Sequence, residues 1–169
     1  MARYRMPEHI VRHSEAVCAV ALHLTRRLNA EGRELSEPLV LASALLHDIA
    51  KLHCLNRRLD HALTGAKLLR KLGYPEIASV VRQHVRLSGS RPPGRVAEAE
   101  IVHYADKRVV DDRIATLSER LDYIRRRYCR TPEALVWLEK WSASAYRLEQ
   151  DIFDLLPGSP NNLATLCMK

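Results

Sequence analysis

Histidine and aspartate occur in this sequence where a helical protein would be expected to place apolar side chains. Between Pro7 and Ala30, Ile10, Val17, Val20, Leu24 and Leu28 recur at helical spacing. His13 falls three residues after Ile10 and four before Val17, on the same stripe. His47 and Asp48 lie inside LVLASALLHDIAKL, where an unpaired buried polar group costs roughly 2–7 kcal/mol and a carboxylate more. His84 is three residues after Val81 and four after Val80, and Asp106 closes the run IVHYAD. Taken singly, each has an ordinary explanation. A core histidine can bond a backbone carbonyl, and His47–Asp48 can be a partly buried ion pair. Asp60 can cap a helix that begins at His61, and Asp106 can pair with Lys107 or Arg108. Taken together, buried His and Asp from several helices need a common partner, and a metal ion inside a helical bundle is the economical one.

Imidazole and carboxylate ligands without thiolate suit Fe, Mn, Co, Ni or Zn, as one ion or two. A divalent ion so held lowers the pKa of coordinated water from 15.7 to about 7. Two ions about 4 Å apart can clamp the oxygens of an in-line phosphoryl displacement.

The elements that must carry these residues read as helices. The first spans Pro7 to about Ala30 and ends at Gly32; Ser36 caps the second, with Pro38 in its first turn and an end near Leu52. The third covers 60–72 and closes at Gly73; the fourth opens at Pro75 and reaches about Leu87. The segment SGSRPPGR is the clearest loop. Helical patterning resumes at Val96, with a break after Asp106, and runs to about Tyr128. Thr131 and Pro132 start a helix that reaches Leu155, and residues 157–169 read as a flexible tail. With no alternating strand pattern, the expected class is all-α. The last helices either pack on the bundle or mediate homodimerisation.

Composition narrows the function classes. The 169 residues form one domain with an ordinary apolar fraction of 47%, enough for a real core. The longest apolar stretch, Pro38 to Leu46, is far below the roughly 20 residues needed to span a bilayer. The charged start, MARYRMPEHIVRH, lacks the apolar block of a signal peptide, so a cytoplasmic location is expected. Cys18, Cys54, Cys129 and Cys167 are scattered and read as reduced thiols. A net charge of +7, mostly Arg, favours anionic partners. Aromatic residues make up only 5% and are not interleaved with the basic runs, which argues against a nucleic-acid stacking surface.

The order of these residues resembles the HD-domain metal-dependent phosphohydrolases: His13, then LLHDIAK at 45–51, His61 in DHALTGAKLL, His84 in VVRQHV and Asp106 in VHYADK. The likeness covers roughly residues 8 to 124 and implies an HD-type helical domain over 1–130, with 131–156 as a C-terminal helix packed on it. It implies that His13, His47, Asp48 and Asp106 bind one metal. It also implies that His61 and His84 bind a second, with Asp48 bridging. His61 and His84 are similar to the extra ligands of the six-ligand branches, which include the HD-GYP cyclic-dinucleotide phosphodiesterases. The chain departs from HD-GYP proteins in having Gln83-His84-Val85 in place of a paired HHE. Its Gly73-Tyr74-Pro75 precedes His84 instead of following it, so cyclic di-GMP hydrolysis is not implied.

The expected activity is hydrolysis of a phosphate ester or anhydride of a nucleotide-like small molecule, with Asp48 as metal ligand and orienter of the nucleophile. Lys51, four residues after His47, can neutralise phosphate charge or act as a helix-end cation. Arg82, Arg86, Arg91 and Arg95 flank His84 and its loop, while Lys107, Arg108 and Arg113 follow Asp106. Of these, Arg82, Lys107 and Arg113 join Lys51 as candidate substrate contacts, with solvated surface charge as the competing explanation. The alternative function is a metal-containing module that senses a nucleotide without hydrolysing it. A basic helical nucleic-acid binder with structural histidines is a third reading.

Overall fold

The computed structural model describes residues 4, 6–55, 57, 59–89 and 94–167. Helix α1, Glu8–Ala30, lies against α2, Glu37–Leu46, and against α6, Glu98–Lys107. Between them, α3 is the single turn Lys51–Cys54, and α4, His61–Lys71, pairs with α5, Pro75–Gln83. The expected stripe of α1 faces inward: Val17, Val20, Leu24 and Leu28 are fully buried against Val40, Ala44, Ile101 and Val102. Gly32 closes α1 with φ +82°, donating to the carbonyl of Asn29 while Arg33 donates to that of Leu28, a left-handed cap that suits glycine. Ser36 caps α2 through the Leu39 amide, and Asp60 caps α4 through that of Leu63.

Two helices end earlier than their patterns predict. The expected second helix stops at Leu46, and residues 47–50 form a turn before α3. The His47 ring donates from Nδ1 to the carbonyl of Ala44 at 2.7 Å, the acceptor that a continuing helix would give to the Asp48 amide. α5 stops at Gln83 in the same way, with His84 Nδ1 donating to the carbonyl of Val81 at 2.7 Å. In both cases a histidine takes over a helix-end carbonyl from the backbone.

After α6 the chain forms a small antiparallel hairpin, β1 Val109–Val110 and β2 Arg113–Ile114, which the sequence reading missed. Asp111 and Asp112 make its turn, with Asp111 at φ 54°. Helix α7, Leu117–Tyr128, starts from a capping box of Thr116 and Glu119, and α8 covers Pro132–Phe153. The second half of α8 buries Leu148, Ile152 and Phe153 in the main core.

The segment read as a tail is described up to residue 167. A 3₁₀ turn at Pro160–Asn162 leads into α9, Leu163–Cys167, and Leu163 is fully buried. The Pro157 carbonyl accepts from Arg27, and the Pro160 carbonyl accepts from Arg108 at 2.8 Å. Among the described residues, no helix is long and apolar enough to cross a membrane.

Candidate metal centre

The bundle brings all six candidate metal ligands together. His13 comes from α1, His47 and Asp48 from the turn after α2, His61 from the first residue of α4, His84 from the end of α5, and Asp106 from the last turn of α6. The imidazoles form a row, with ring centroids 5.4 Å apart for His13–His47 and 5.0 Å for His47–His84 and His61–His84. Donor atoms of His13, His47 and Asp48 form one group able to hold a metal ion, and those of Asp48, His61 and His84 form a second. Asp106 flanks the first group, its Oδ1 3.2 Å from His13 Nε2 and 3.8 Å from His47 Nε2. α4 can approach because Gly65 has no side chain; a Cβ there would lie 3.3 Å from Ile49 Cγ2, beside Asp48.

The backbone decides which nitrogen of each ring faces the centre. A carbonyl oxygen only accepts, so the Nδ1 atoms of His13, His47 and His84 carry the proton and donate. Their acceptors are the carbonyls of Asp111 at 2.6 Å, Ala44 at 2.7 Å and Val81 at 2.7 Å. In the neutral ring this leaves each Nε2 as an inward-facing lone pair. The carboxylates are divided likewise. Lys51 Nζ donates to Asp48 Oδ2 at 2.6 Å and Lys107 Nζ to Asp106 Oδ2 at 2.8 Å, leaving the Oδ1 atoms toward the imidazoles. His47 Nε2 and Asp48 Oδ1 are buried and meet no donor in hydrogen-bonding geometry. The Nε2 atoms of His61 and His84 stand 3.1 Å apart. Acceptors held this close in a low dielectric are reconciled by a cation among them or by a proton shared between His61 and His84.

The local field fits a cation. Burial alone would raise the Asp48 carboxyl, but a proton on His47 and, where the rings donate instead of accepting, hydrogen bonds from His47, His61 and His84 hold it well below the usual range. Asp106 is held low against the same burial penalty by Lys107, His13 and His47. Burial opposes a charge on His47, yet Asp48 and Asp106 raise its pKa, drawing in a proton where a metal would be drawn more strongly. At His84 burial wins, and with the His47 charge beside it the ring is pushed down toward the neutral, ligating form.

The cations proposed as substrate contacts occupy different places. Lys51 borders the centre with its side chain 42% exposed, paired to Asp48 across one turn instead of sharing a continuous helix face with His47. Burial would lower its pKa, but Asp48 raises it, so the ammonium is retained. Lys107 is only 5% exposed and donates to the His84 carbonyl at 2.5 Å as well as to Asp106. It braces two ligands from inside the bundle. Arg108 is wholly internal, bonded to the Ala115 and Pro160 carbonyls, Tyr104 and Glu149. Arg82, Arg86 and Arg95 are exposed, and Arg91 lies outside the described residues. Arg113 sits on β2, 3.1 Å from Glu119 and away from the ligands.

Two contributors escaped the sequence reading. The Asp111 carbonyl orients His13, and a backbone acceptor in a hairpin turn leaves no side-chain signature. Arg120 on α7 has a buried Nε without a hydrogen-bond partner, and its charge opposes that of Lys51. Its guanidinium lies 5.7 Å from the Tyr123 ring centroid.

A family model for the HD domain matches residues 10–111, which contain all six clustered side chains. The uncharacterized protein MJ0778 of Methanocaldococcus jannaschii is 31% identical over 134 residues, covering 68% of this chain and 78% of that protein. The dihydroneopterin 2',3'-cyclic phosphate phosphodiesterase of the same organism is 30% identical over 140 residues. That match covers 73% of this chain, which spans about half (54%) of the length of that relative. No solved structure matches. With the motif order, the helical architecture and the family match in agreement, the chain belongs to the HD domain family.

Proposed function

We propose that this chain is a metal-dependent phosphohydrolase that opens a phosphate ester of a nucleotide-like small molecule, a cyclic phosphodiester being the first candidate. The observation that carries the reading is the convergence of buried acceptor atoms without donors beside the half-exposed Lys51 ammonium. His13, His47, Asp48 and Asp106 would hold one divalent ion, and Asp48, His61 and His84 a second. Bound there, the ions supply Lewis acidity and a coordinated water of lowered pKa.

The chain's own groups do the rest. Lys51, kept protonated by Asp48, binds an anionic phosphate oxygen and offsets the charge that grows on it during attack. Asp48 orients the attacking water through the oxygen not taken by Lys51. Arg120 is close enough for its charge to oppose that of Lys51 and would offer a second cation. Water forms the new P–O bond, one ester P–O bond breaks, and the leaving alkoxide takes a proton, giving a ring-opened monoester. The name of the phosphodiesterase relative describes such a substrate, a dihydroneopterin 2',3'-cyclic phosphate.

The test is 31P NMR of metal-stripped protein reconstituted anaerobically with Mn, Fe, Co, Ni or Zn. The panel holds 2',3'-cyclic phosphates of nucleosides and of dihydroneopterin, mononucleotides and dinucleoside polyphosphates. Turnover by wild type but not by an equally folded Asp48→Ala variant supports the reading. Bound metal with tight nucleotide binding and no turnover points instead to the non-hydrolytic sensor.

A further inference from the structure

A concentration of positive charge lies outside the metal centre, between the hairpin and α7. There Val110 and Arg113 of the hairpin face Glu119, Asp122, Tyr123, Arg126, Arg127 and Arg130 across a crevice of about 800 Å³. The two acids are already engaged, Glu119 with Arg113 at 3.1 Å and Asp122 with Arg125 at 3.0 Å. Arg126 and Arg130 have no acidic partner among the described residues. Arg127 lies over the Tyr123 ring at 5.8 Å, and Arg120 lies over the same ring at 5.7 Å. Attraction to the helix C-terminus accounts for arginines in the last turn of α7, but not for the hairpin residues Val110 and Arg113 that line an open crevice with them.

We propose that this crevice is a binding site for an oligophosphate, separate from the phosphate group that reacts at the metal centre. Its volume lies within the range of small-ligand sites, roughly 300–1,000 Å³, and its open guanidiniums suit bidentate phosphate contacts. The one aromatic ring in the lining is already in contact with two guanidiniums, so little is left for stacking a base. Recognition therefore falls on the phosphates, whether inorganic or part of a nucleotide. A single-stranded nucleic acid would need the stacking platform that is missing here.

The site is also joined to the metal centre. Val110 and Arg113 line the crevice, and the two residues between them reach the other way. The Asp111 carbonyl accepts from His13 Nδ1 at 2.6 Å, and Asp112 pairs with Arg12 at 3.0 Å. The turn that orients His13 is thus continuous with the hairpin residues that line the crevice.

The experiment is calorimetric titration of metal-stripped, chelator-treated protein with tripolyphosphate, ATP and a short single-stranded RNA at physiological salt. Using the metal-free protein separates this site from the phosphohydrolase reading. Tripolyphosphate should bind once, and an Arg126→Gln/Arg130→Gln double variant should weaken it at least about tenfold, charged hydrogen bonds being the strong ones. Arg70→Gln, an exposed control on α4, should not. ATP binding as tightly as tripolyphosphate identifies the phosphates alone as the ligand, and tighter ATP binding identifies a nucleoside triphosphate. Absence of saturable binding, or equal loss in the double variant and the control, overturns the proposal. RNA that displaces tripolyphosphate with a steep salt dependence also overturns it, making the crevice part of a nucleic-acid surface.

Discussion

Replacing Lys107 with Met tests whether this buried cation stands in for part of a metal ion's charge. Its Nζ holds Asp106 Oδ2 at 2.8 Å and the His84 carbonyl at 2.5 Å, and the side chains of the ion pair are 6% and 12% exposed. Methionine has nearly the same length, so the variant leaves little cavity and isolates the electrostatic loss. Removing one partner of a buried ion pair costs about 3–5 kcal/mol. An abandoned buried carbonyl costs about 1–3 kcal/mol, overlapping with the first figure because both losses come from one ammonium. The metal-free variant should therefore lose about 4 kcal/mol, a large share of the 5–15 kcal/mol typical of a whole domain.

With a divalent ion bound, Asp106 regains a counter-charge, and the loss should shrink to about that of the carbonyl, 1–3 kcal/mol. By linkage, the variant is then stabilised more by the ion than wild type is, and binds it more tightly. Urea unfolding followed by circular dichroism, with chelator and with saturating Mn²⁺, gives all four stabilities. A loss of the same size under both conditions, or one below about 1 kcal/mol in chelator, would refute the reasoning.

Three further outcomes are expected. Arg108→Met abandons Glu149, Tyr104 and the carbonyls of Ala115 and Pro160, and should cost about 3–5 kcal/mol, or about 10 °C in Tm for a chain of this size; an unchanged melting curve contradicts that role. Burial, with Lys107 beside it, pushes His103 down to about 3, so the fold keeps it neutral while the unfolded chain takes up a proton below its ordinary 6.5. Stability from this residue is complete above that value and is lost as pH falls, by up to about 1.4 kcal/mol per unit. Metal-free wild type should thus lose about 2 kcal/mol more than His103→Gln between pH 7 and pH 5, and equal losses in urea midpoints would remove His103 from the account. Gly65→Ala gains helix propensity against a tight 3.3 Å approach to Ile49 and should be nearly neutral. Gly65→Val should cost about 1–3 kcal/mol by overpacking and weaken Mn²⁺ binding through the displaced turn, whereas unaltered calorimetric affinity would show that the turn tolerates the push.

The inward direction of the ligands was legible because α1 is amphipathic, so that His13 could be placed among Ile10, Val17 and Val20 by periodicity alone. α6 offered no such signal. Every residue from Ile101 to Lys107 is buried, and a helix buried on all faces has no polar face by which to sort its side chains. Sequence alone therefore gives no sign that Lys107 is internal. The break at His47 was hidden for another reason: LVLASALLHDIAKL has no Gly or Pro, and the interruption comes from an imidazole that takes over a backbone carbonyl. The two-residue strands are too short for alternation to register. The final segment, rich in Pro, Gly and Asn, has a loop composition, yet Leu163 anchors it in the core and Arg108 bonds the Pro160 carbonyl.

The pairing of each carboxylate with its own lysine bears on when an anionic substrate can enter. Asp48 and Lys51 balance, Asp106 and Lys107 balance, and three imidazoles direct lone pairs inward. Without an ion, the centre presents a phosphate with no surplus positive charge beyond the proton drawn onto His47, and the orphaned Asp48 Oδ1 is an acceptor that repels its oxygens. Each divalent ion adds two charges to an otherwise balanced site, and the new surplus matches a phosphate and its attacking oxygen. Under the proposed function, affinity for the substrate would be conditional on metal while the fold would not, because the lysines already compensate the carboxylates. A centre built from the same ligands without Lys51 and Lys107 would hold metal more tightly. It would also carry two uncompensated carboxylates in the core whenever the metal was absent.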